Sequence, residues 1–298
     1  MKTLLVLLGP TAVGKTELAI ELARHIDSPV INADSRQIYR GLSIGTAAPT
    51  PDQLSRAYHY FIGTLDITDY YSAARYEADV LQLTSELFKT HDTLLLSGGS
   101  MLYIDAVCNG IDDIPTITPE TRDHLRQRLE TEGPDTLKAE LKLLDPAYYA
   151  HVDLKNTKRI LHALEVCYQT GKPFSSFRTD THKERPFRIV KFGLCRERAD
   201  LFERINQRVE QMIAEGLLEE ARAMLPHRHE NALNTVGYKE MFEVLDAHWT
   251  LPFAVERMKK NTRVYAKKQM TWFAHDKDIQ WFHPSQADAL IKTVDNLL

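Results

Sequence analysis

The sequence predicts an α/β fold: a P-loop-containing parallel sheet flanked by helices, with a helical insertion domain. Three observations carry this. An apolar run, Leu4 to Leu8, leads into Gly9-Pro10-Thr11-Ala12-Val13-Gly14-Lys15-Thr16 and then into a helical pattern at Leu18, Ala19, Leu22, Ala23 and Ile26. Strand, G-x-x-x-x-G-K-T turn and helix in that order define a phosphate-binding loop. Further apolar runs at 30–33, 93–96 and 189–194 alternate with helical periodicity, the rhythm of a parallel sheet. From about Ile111 the composition turns polar and helical, with Pro and Gly punctuation, before returning to strand near Ile189. The core is therefore expected over 1–112 and 187–298, with the insertion over 113–186.

The phosphate loop works through backbone geometry. Glycines let successive N–H groups aim inward, and the helix N-terminus adds partial positive charge. Lys15 reaches a terminal phosphate, and the Thr16 hydroxyl is a ligand for a divalent cation. Such loops serve nucleotide-binding and ATP-binding proteins, and the motif alone does not say which phosphate compound binds. Val30 to Ala33 reads as a second buried strand, ending in Asp34-Ser35-Arg36-Gln37. Ligands sit at that edge of an open parallel sheet, so Asp34 is either a catalytic group or a turn cap.

Gly41 to Pro51 reads as loop, Tyr58 to Ile62 as a strand, and Ser72 to Lys89 as a helix with Tyr76, Val80, Leu83 and Leu87 inward. Thr93 to Leu96 is a third strand, closing on Ser97-Gly98-Gly99-Ser100. NTP hydrolases usually place a Mg²⁺-holding Asp there, so motor-type hydrolysis is disfavoured. Thr118-Pro119-Glu120 starts a helix, Gly133-Pro134 breaks the chain, and Asp145-Pro146 starts another helix. Asn156 to Thr170 is helical and stops at Gly171. Ala199 to Leu225 reads as one long amphipathic helix, with Arg204 and Arg208 a turn apart on a solvated face beside Glu203 and Glu210. In the last helix Lys259, Arg263 and Lys267 recur every four residues. That row is either a solvated face or a nucleic-acid contact.

Composition bounds the class. At 43% hydrophobic and 26% charged over 298 residues, the chain is that of an ordinary globular protein of one or two domains. Its apolar runs are too short to span a membrane, and no signal-peptide pattern precedes the loop. Cys108, Cys167 and Cys195 are scattered without metal spacing and read as reduced thiols, so a cytoplasmic protein is expected. A net charge of −4 argues against nonspecific nucleic-acid binding by the whole surface, though not by a local basic face.

With these pieces in place the chain resembles the tRNA dimethylallyltransferase (tRNA isopentenyltransferase) family. The matching stretches are GPTAVGKT (9–16), INADSRQIYRGLSIGTAAP (31–49), LSGGSMLYI (96–104), RINQRVEQMI (204–213), TVGYKE (235–240) and TRVYAKKQMTWF (262–273). The segment at 158–162, Lys-Arg-Ile-Leu-His, is shorter in arginine than the family pattern. Thr235-Val236 stands where Gln-Ile is common, and Ser100 where Thr is usual. No zinc finger of the eukaryotic type follows, so a bacterial-type enzyme is expected.

The resemblance implies transfer of a dimethylallyl group from dimethylallyl diphosphate to the exocyclic amine of the adenine beside the tRNA anticodon. The residues at 9–16 would then cradle a diphosphate leaving group with Mg²⁺ at Thr16. Asp34 would be the general base, and Arg208 and Thr11 would serve the diphosphate. The tRNA anticodon stem-loop would meet Asp34, Ser35, Arg36, Gln37, Ser100 and Arg159, with Lys259, Arg263 and Lys267 on its phosphates. A monomer is expected, acting away from membranes. The rival readings are a P-loop kinase of a small metabolite, a prenyltransferase of free adenine nucleotide, and a noncatalytic RNA-binding protein.

Overall fold

The computed structural model describes residues 1–179 and 182–298. Among them six strands form one sheet: β1 (Thr3–Leu8), β2 (Val30–Ala33), β3 (His59–Tyr60), β4 (Thr93–Gly98), β5 (Arg188–Leu194) and β6 (Gln280–Phe282). They lie in the order β3-β2-β4-β1-β5-β6, and every pairing is parallel. The strands are apolar on both sides because helices cover both faces. Leu4, Val6, Leu8, Ile31, Leu94 and Leu96 pack on one face. Leu5, Leu7, Val30, Leu95, Val190 and Phe192 pack on the other.

The register sets the site. Leu8 lies opposite Gly98 and Gly193, and Ala33 lies opposite Gly98. The C-terminal ends of β1, β2 and β4 are therefore level, and the chain passes from β1 to β2 on one side and from the adjacent β5 to β6 on the other. That is the switch point where such sheets open a crevice.

The chain divides into two compact units, Met1–Cys108 with Glu184–Leu298, and Asn109–Lys183. Both boundaries fall a few residues before those read from the sequence. The second unit is helical, with helices at Pro119–Glu132, Pro134–Leu144, Pro146–Tyr149 and Thr157–Thr170 around Leu125, Leu137, Leu141, Ile160 and Leu164. Thr118 and Asn156 cap their helices through side-chain oxygens, as local sequence dictates. Asp145 is 1% exposed and accepts from Tyr148 N and from Ser175 N and Oγ, which fixes the turn between helices.

Two sequence expectations need correction. The strand expected over 58–62 shortens to His59–Tyr60, because Phe61 takes a φ of 63° and ends the pleat. The helix expected over 199–225 is two, Arg198–Ala214 and Leu217–Ala223, broken at Gly216 with φ 100°. A left-handed glycine ends the first helix although apolar spacing continues past it.

Candidate active site

The phosphate loop leaves β1 at Gly9 and enters the Lys15–His25 helix after Gly14. Gly9 is required sterically, since a Cβ there would lie 2.7 Å from the Leu194 carbonyl oxygen. Gly14 and Ala12 both hold positive φ, 112° and 65°, which curls the loop back over the helix start. Three side chains brace it from outside. Arg204 Nε donates to Ala12 O at 2.9 Å, Arg196 Nε donates to Val13 O at 2.8 Å, and the Gln269 amide oxygen accepts from Thr11 N at 2.9 Å.

Lys15 Nζ donates to Gly9 O at 3.0 Å and Pro10 O at 2.8 Å, so the ammonium lies folded across the loop. Desolvation, and after it the charge of Arg208, lower its pKa to about 7, while Asp34 pulls the other way. Arg208 is half-buried, and burial followed by the Arg204 charge push its pKa down as well. A guanidinium stays protonated regardless. The solvated-face reading of these arginines is therefore overturned. Glu203 accepts from Gln207 and Glu210 from Lys259, and Arg208 has no carboxylate partner among the described residues. Two cations beside one carboxylate leave an excess of positive charge that an anion would neutralise.

Asp34 follows β2 directly. Its Oδ1 accepts from Arg36 N at 2.9 Å and Gln37 N at 3.2 Å, so the turn-cap reading holds for one oxygen. Its Oδ2 has no protein partner among the described residues and is open to a substrate. Ser100, 8% exposed, accepts from Ser35 N at 2.8 Å and donates to Ser35 Oγ at 3.2 Å, locking the turn that carries Asp34. β2 and β4 approach so closely there that a Cβ on Gly98 would lie 2.1 Å from Ala33 O. A cavity of about 270 Å³ opens next to this turn, lined in part by Ser35, Arg36, Tyr39, Ser100, Tyr103 and Tyr265. Desolvation at the cavity wall, then the Asp34 charge, push the Tyr265 pKa up to about 12, although 38% of the residue stays exposed.

A family model described as IPP transferase matches residues 37–276. The chain belongs to that family. It is 61% identical over 295 residues to the tRNA dimethylallyltransferase 1 of Phocaeicola vulgatus, covering 99% of this chain and 98% of that one. Among solved structures it is similar to the full-length tRNA isopentenylpyrophosphate transferase of Bacillus halodurans, with TM-score 0.72 and 32% identity over 99% of this chain and 96% of that one. A eukaryotic dimethylallyltransferase studied acting on tRNA matches with TM-score 0.81 and 25% identity, covering 99% of this chain and 80% of that one.

The sequence-derived site residues divide on the structure. Residues 9–16, Asp34, Ser35, Ser100 and Arg208 converge at the sheet edge. Arg36 Nη1 instead donates to Asn231 O at 2.8 Å, and Gln37 Nε2 to Thr46 O and Ala47 O at 3.1 and 3.0 Å, so both brace loops. Arg159 is exposed on the Thr157–Thr170 helix of the other unit. The basic row divides in the same way. Lys259 donates to Glu210 at 2.8 Å and Glu256 at 2.9 Å, Arg263 donates to Asn206 Oδ1 at 2.6 Å, and Lys267 lies over the Phe202 ring at 5.6 Å. Of the three, Lys259 alone meets protein carboxylates among the described residues. The exposed cations on that helix with no acidic partner among the described residues are Lys260, Lys267 and Lys268.

Two contributors escaped the sequence reading. Glu220 accepts from Ile44 N, Gly45 N and Tyr238 OH at 2.8, 2.8 and 2.6 Å, pinning the loop after Asp34. Gln269 is 2% exposed and touches both sides of the site. It lies in the family-matching stretch 262–273, which assigned it no role, and it is a polar residue at the spacing of the buried Met258, Ala266 and Phe273.

Among the side chains of the phosphate loop, Thr16 offers an oxygen suited to a divalent cation. The Thr16 hydroxyl opens the first turn of its helix, half-buried and with no protein partner among the described residues. No cluster of three or more His, Cys, Asp or Glu side chains could hold a metal among those residues. The donor set fits a hard cation held chiefly by phosphate oxygens and water, with Thr16 as one ligand. No helix among the described residues is long and apolar enough to cross a membrane.

Proposed function

We propose that this chain transfers a dimethylallyl group from dimethylallyl diphosphate to the exocyclic N6 amine of the adenine next to a tRNA anticodon, releasing diphosphate. The observation that carries the reading is the pairing of Lys15 and Arg208 around the phosphate loop with a single carboxylate, Asp34, level with them at the ends of β1 and β2. The names of the similar proteins support the same acceptor and donor class.

The residues divide the work. The allylic C–O bond breaks as the adenine nitrogen forms its bond to the same carbon, and negative charge grows on the diphosphate. Lys15, Arg208 and the loop amides stabilise that charge in a site already short of anions. Mg²⁺, when bound through Thr16, supplies further neutralisation of the leaving group. The amine nitrogen gives up its proton to Asp34 Oδ2, while Oδ1 remains tied to the turn. The target base must leave its stack to reach this carboxylate. Acting on tRNA, the enzyme would work in the cytoplasm.

The test offers the protein dimethylallyl diphosphate with tRNA, with free adenine nucleotide, and with neither. Prenylated adenosine in digested tRNA is the expected product. Prenylation of the free nucleotide in preference to tRNA would overturn the acceptor assignment. ATP-dependent phosphorylation of a small metabolite without prenyl transfer would overturn the reaction.

A further inference from the structure

We propose that Gln269 is a positioning residue for prenyl transfer, holding the diphosphate end of the site in register with the end that presents Asp34. This role rests on the prenyl-transfer reading above. Gln269 lies on the apolar side of the Leu251–Phe273 helix with Met258, Ala266 and Phe273, and it is 2% exposed. A buried amide costs free energy unless both its ends are hydrogen-bonded. Here both are. Its Oε1 accepts from Thr11 N at 2.9 Å and its Nε2 donates to Gly99 O at 2.7 Å. Only one orientation of the amide satisfies an N–H on one side and a carbonyl on the other.

Each partner belongs to a different half of the site. Thr11 is in the phosphate loop, and its amide is spent on Gln269 rather than on an anion, so the contact shapes the loop instead of binding the diphosphate. Gly99 follows β4 directly, and Ser100 after it accepts from the amide of Ser35, the neighbour of Asp34. A Cβ on Gly99 would sit 2.6 Å from Gln269 Nε2, so a side chain there would push the amide from its place. One side chain thus spans the gap between leaving group and base.

Transfer needs the allylic carbon and the amine nitrogen in line, and a misplacement of about 1 Å costs about 10²-fold in rate. Loosening the bridge should therefore spare ground-state binding and slow the chemical step. Gln269→Leu removes both bonds at similar volume. Its saturating single-turnover rate is expected to fall about 10²-fold, with the affinities for dimethylallyl diphosphate and tRNA changed only a few-fold.

Gln269→Glu gives the readout that a mere strut would not. As a carboxylate it still accepts from Thr11 N but opposes the Gly99 carbonyl. As a carboxylic acid, favoured by burial at lower pH, it regains the donor. Its rate relative to wild type at the same pH should rise as pH falls, with folded fraction checked by circular dichroism at each pH. If Gln269→Leu does not fold, this profile carries the test alone. A folded Gln269→Leu reacting at the wild-type rate, a loss confined to KM for dimethylallyl diphosphate, or a flat rate ratio for Gln269→Glu would overturn the role. Wild-type transfer is the control in the same assay: its absence would overturn the function reading and this role together, whereas an active wild type beside an equally active variant overturns the role alone.

Discussion

Replacing Asp34 with Asn separates the base from the turn it caps. In the enzyme Oδ1 accepts from Arg36 N and Gln37 N, and an asparagine carbonyl oxygen accepts both bonds in the same place. The turn and its lock on Ser100 should survive. What disappears is the proton acceptor at Oδ2, because an amide nitrogen there donates rather than accepts. General-base catalysis is worth about 10²–10⁴ in rate, or about 3–5 kcal/mol of barrier. The substitution also removes the negative charge that props up the Lys15 pKa, so dimethylallyl diphosphate should bind somewhat more weakly above neutral pH. Saturating donor separates the two effects. The assay is single-turnover transfer to tRNA at saturating donor, with affinities measured independently. A loss of about 10²–10⁴ in rate with tRNA affinity retained fits the argument. An Asp34→Asn variant reacting near the wild-type rate would show that Asp34 only caps its turn.

Lys15, with a pKa of about 7 instead of 10.5, is protonated below neutrality and increasingly neutral above it, so donor affinity should fall as pH rises through about 7. Lys15→Arg, charged throughout, should flatten that limb of a KM-against-pH profile. Salt dependence of tRNA binding should be unchanged by Lys259→Ala, whose ammonium is already held by Glu210 and Glu256. Replacing exposed Lys260 and Lys268 with Ala should lower the log–log slope by about one unit for each tRNA phosphate left without its cation. Arg185 donates to Glu77 at 2.7 Å with both side chains under a tenth exposed, and also to Val107 O and Ala106 O, so Arg185→Met, which breaks this buried ion pair and both carbonyl bonds, should cost about 3–5 kcal/mol in urea unfolding.

Local features were legible in the sequence. The phosphate loop, the strands around it and the helix start at Thr118 depend on neighbours within a few positions. Asp34 was legible because a polar residue after a buried strand lands at the ligand edge of the sheet. Features fixed by distant partners were not. Lys259 meets Glu210 across 49 residues, and Arg185 meets Glu77 across 108, and no spacing rule announces either. Arg208 looked like a surface arginine because the group it acts on, Lys15, is far away in the chain. Gln269 stood in a family-matching stretch without an assigned role, because its partners, Thr11 and Gly99, are far away in the chain, though the buried stripe through Met258, Ala266 and Phe273 runs through it. The Gly216 break was hidden because apolar spacing persists on both sides of it.

The central claim is that the phosphate loop holds a leaving group whose departure prenylates one adenine. The direct measurement runs the reaction to completion on tRNA, maps the added mass on ribonuclease fragments, and counts diphosphate released. The account predicts one dimethylallyl group on the adenine next to the anticodon and one diphosphate for each. Prenyl groups elsewhere on the tRNA, or diphosphate released without prenylated adenine, would contradict it.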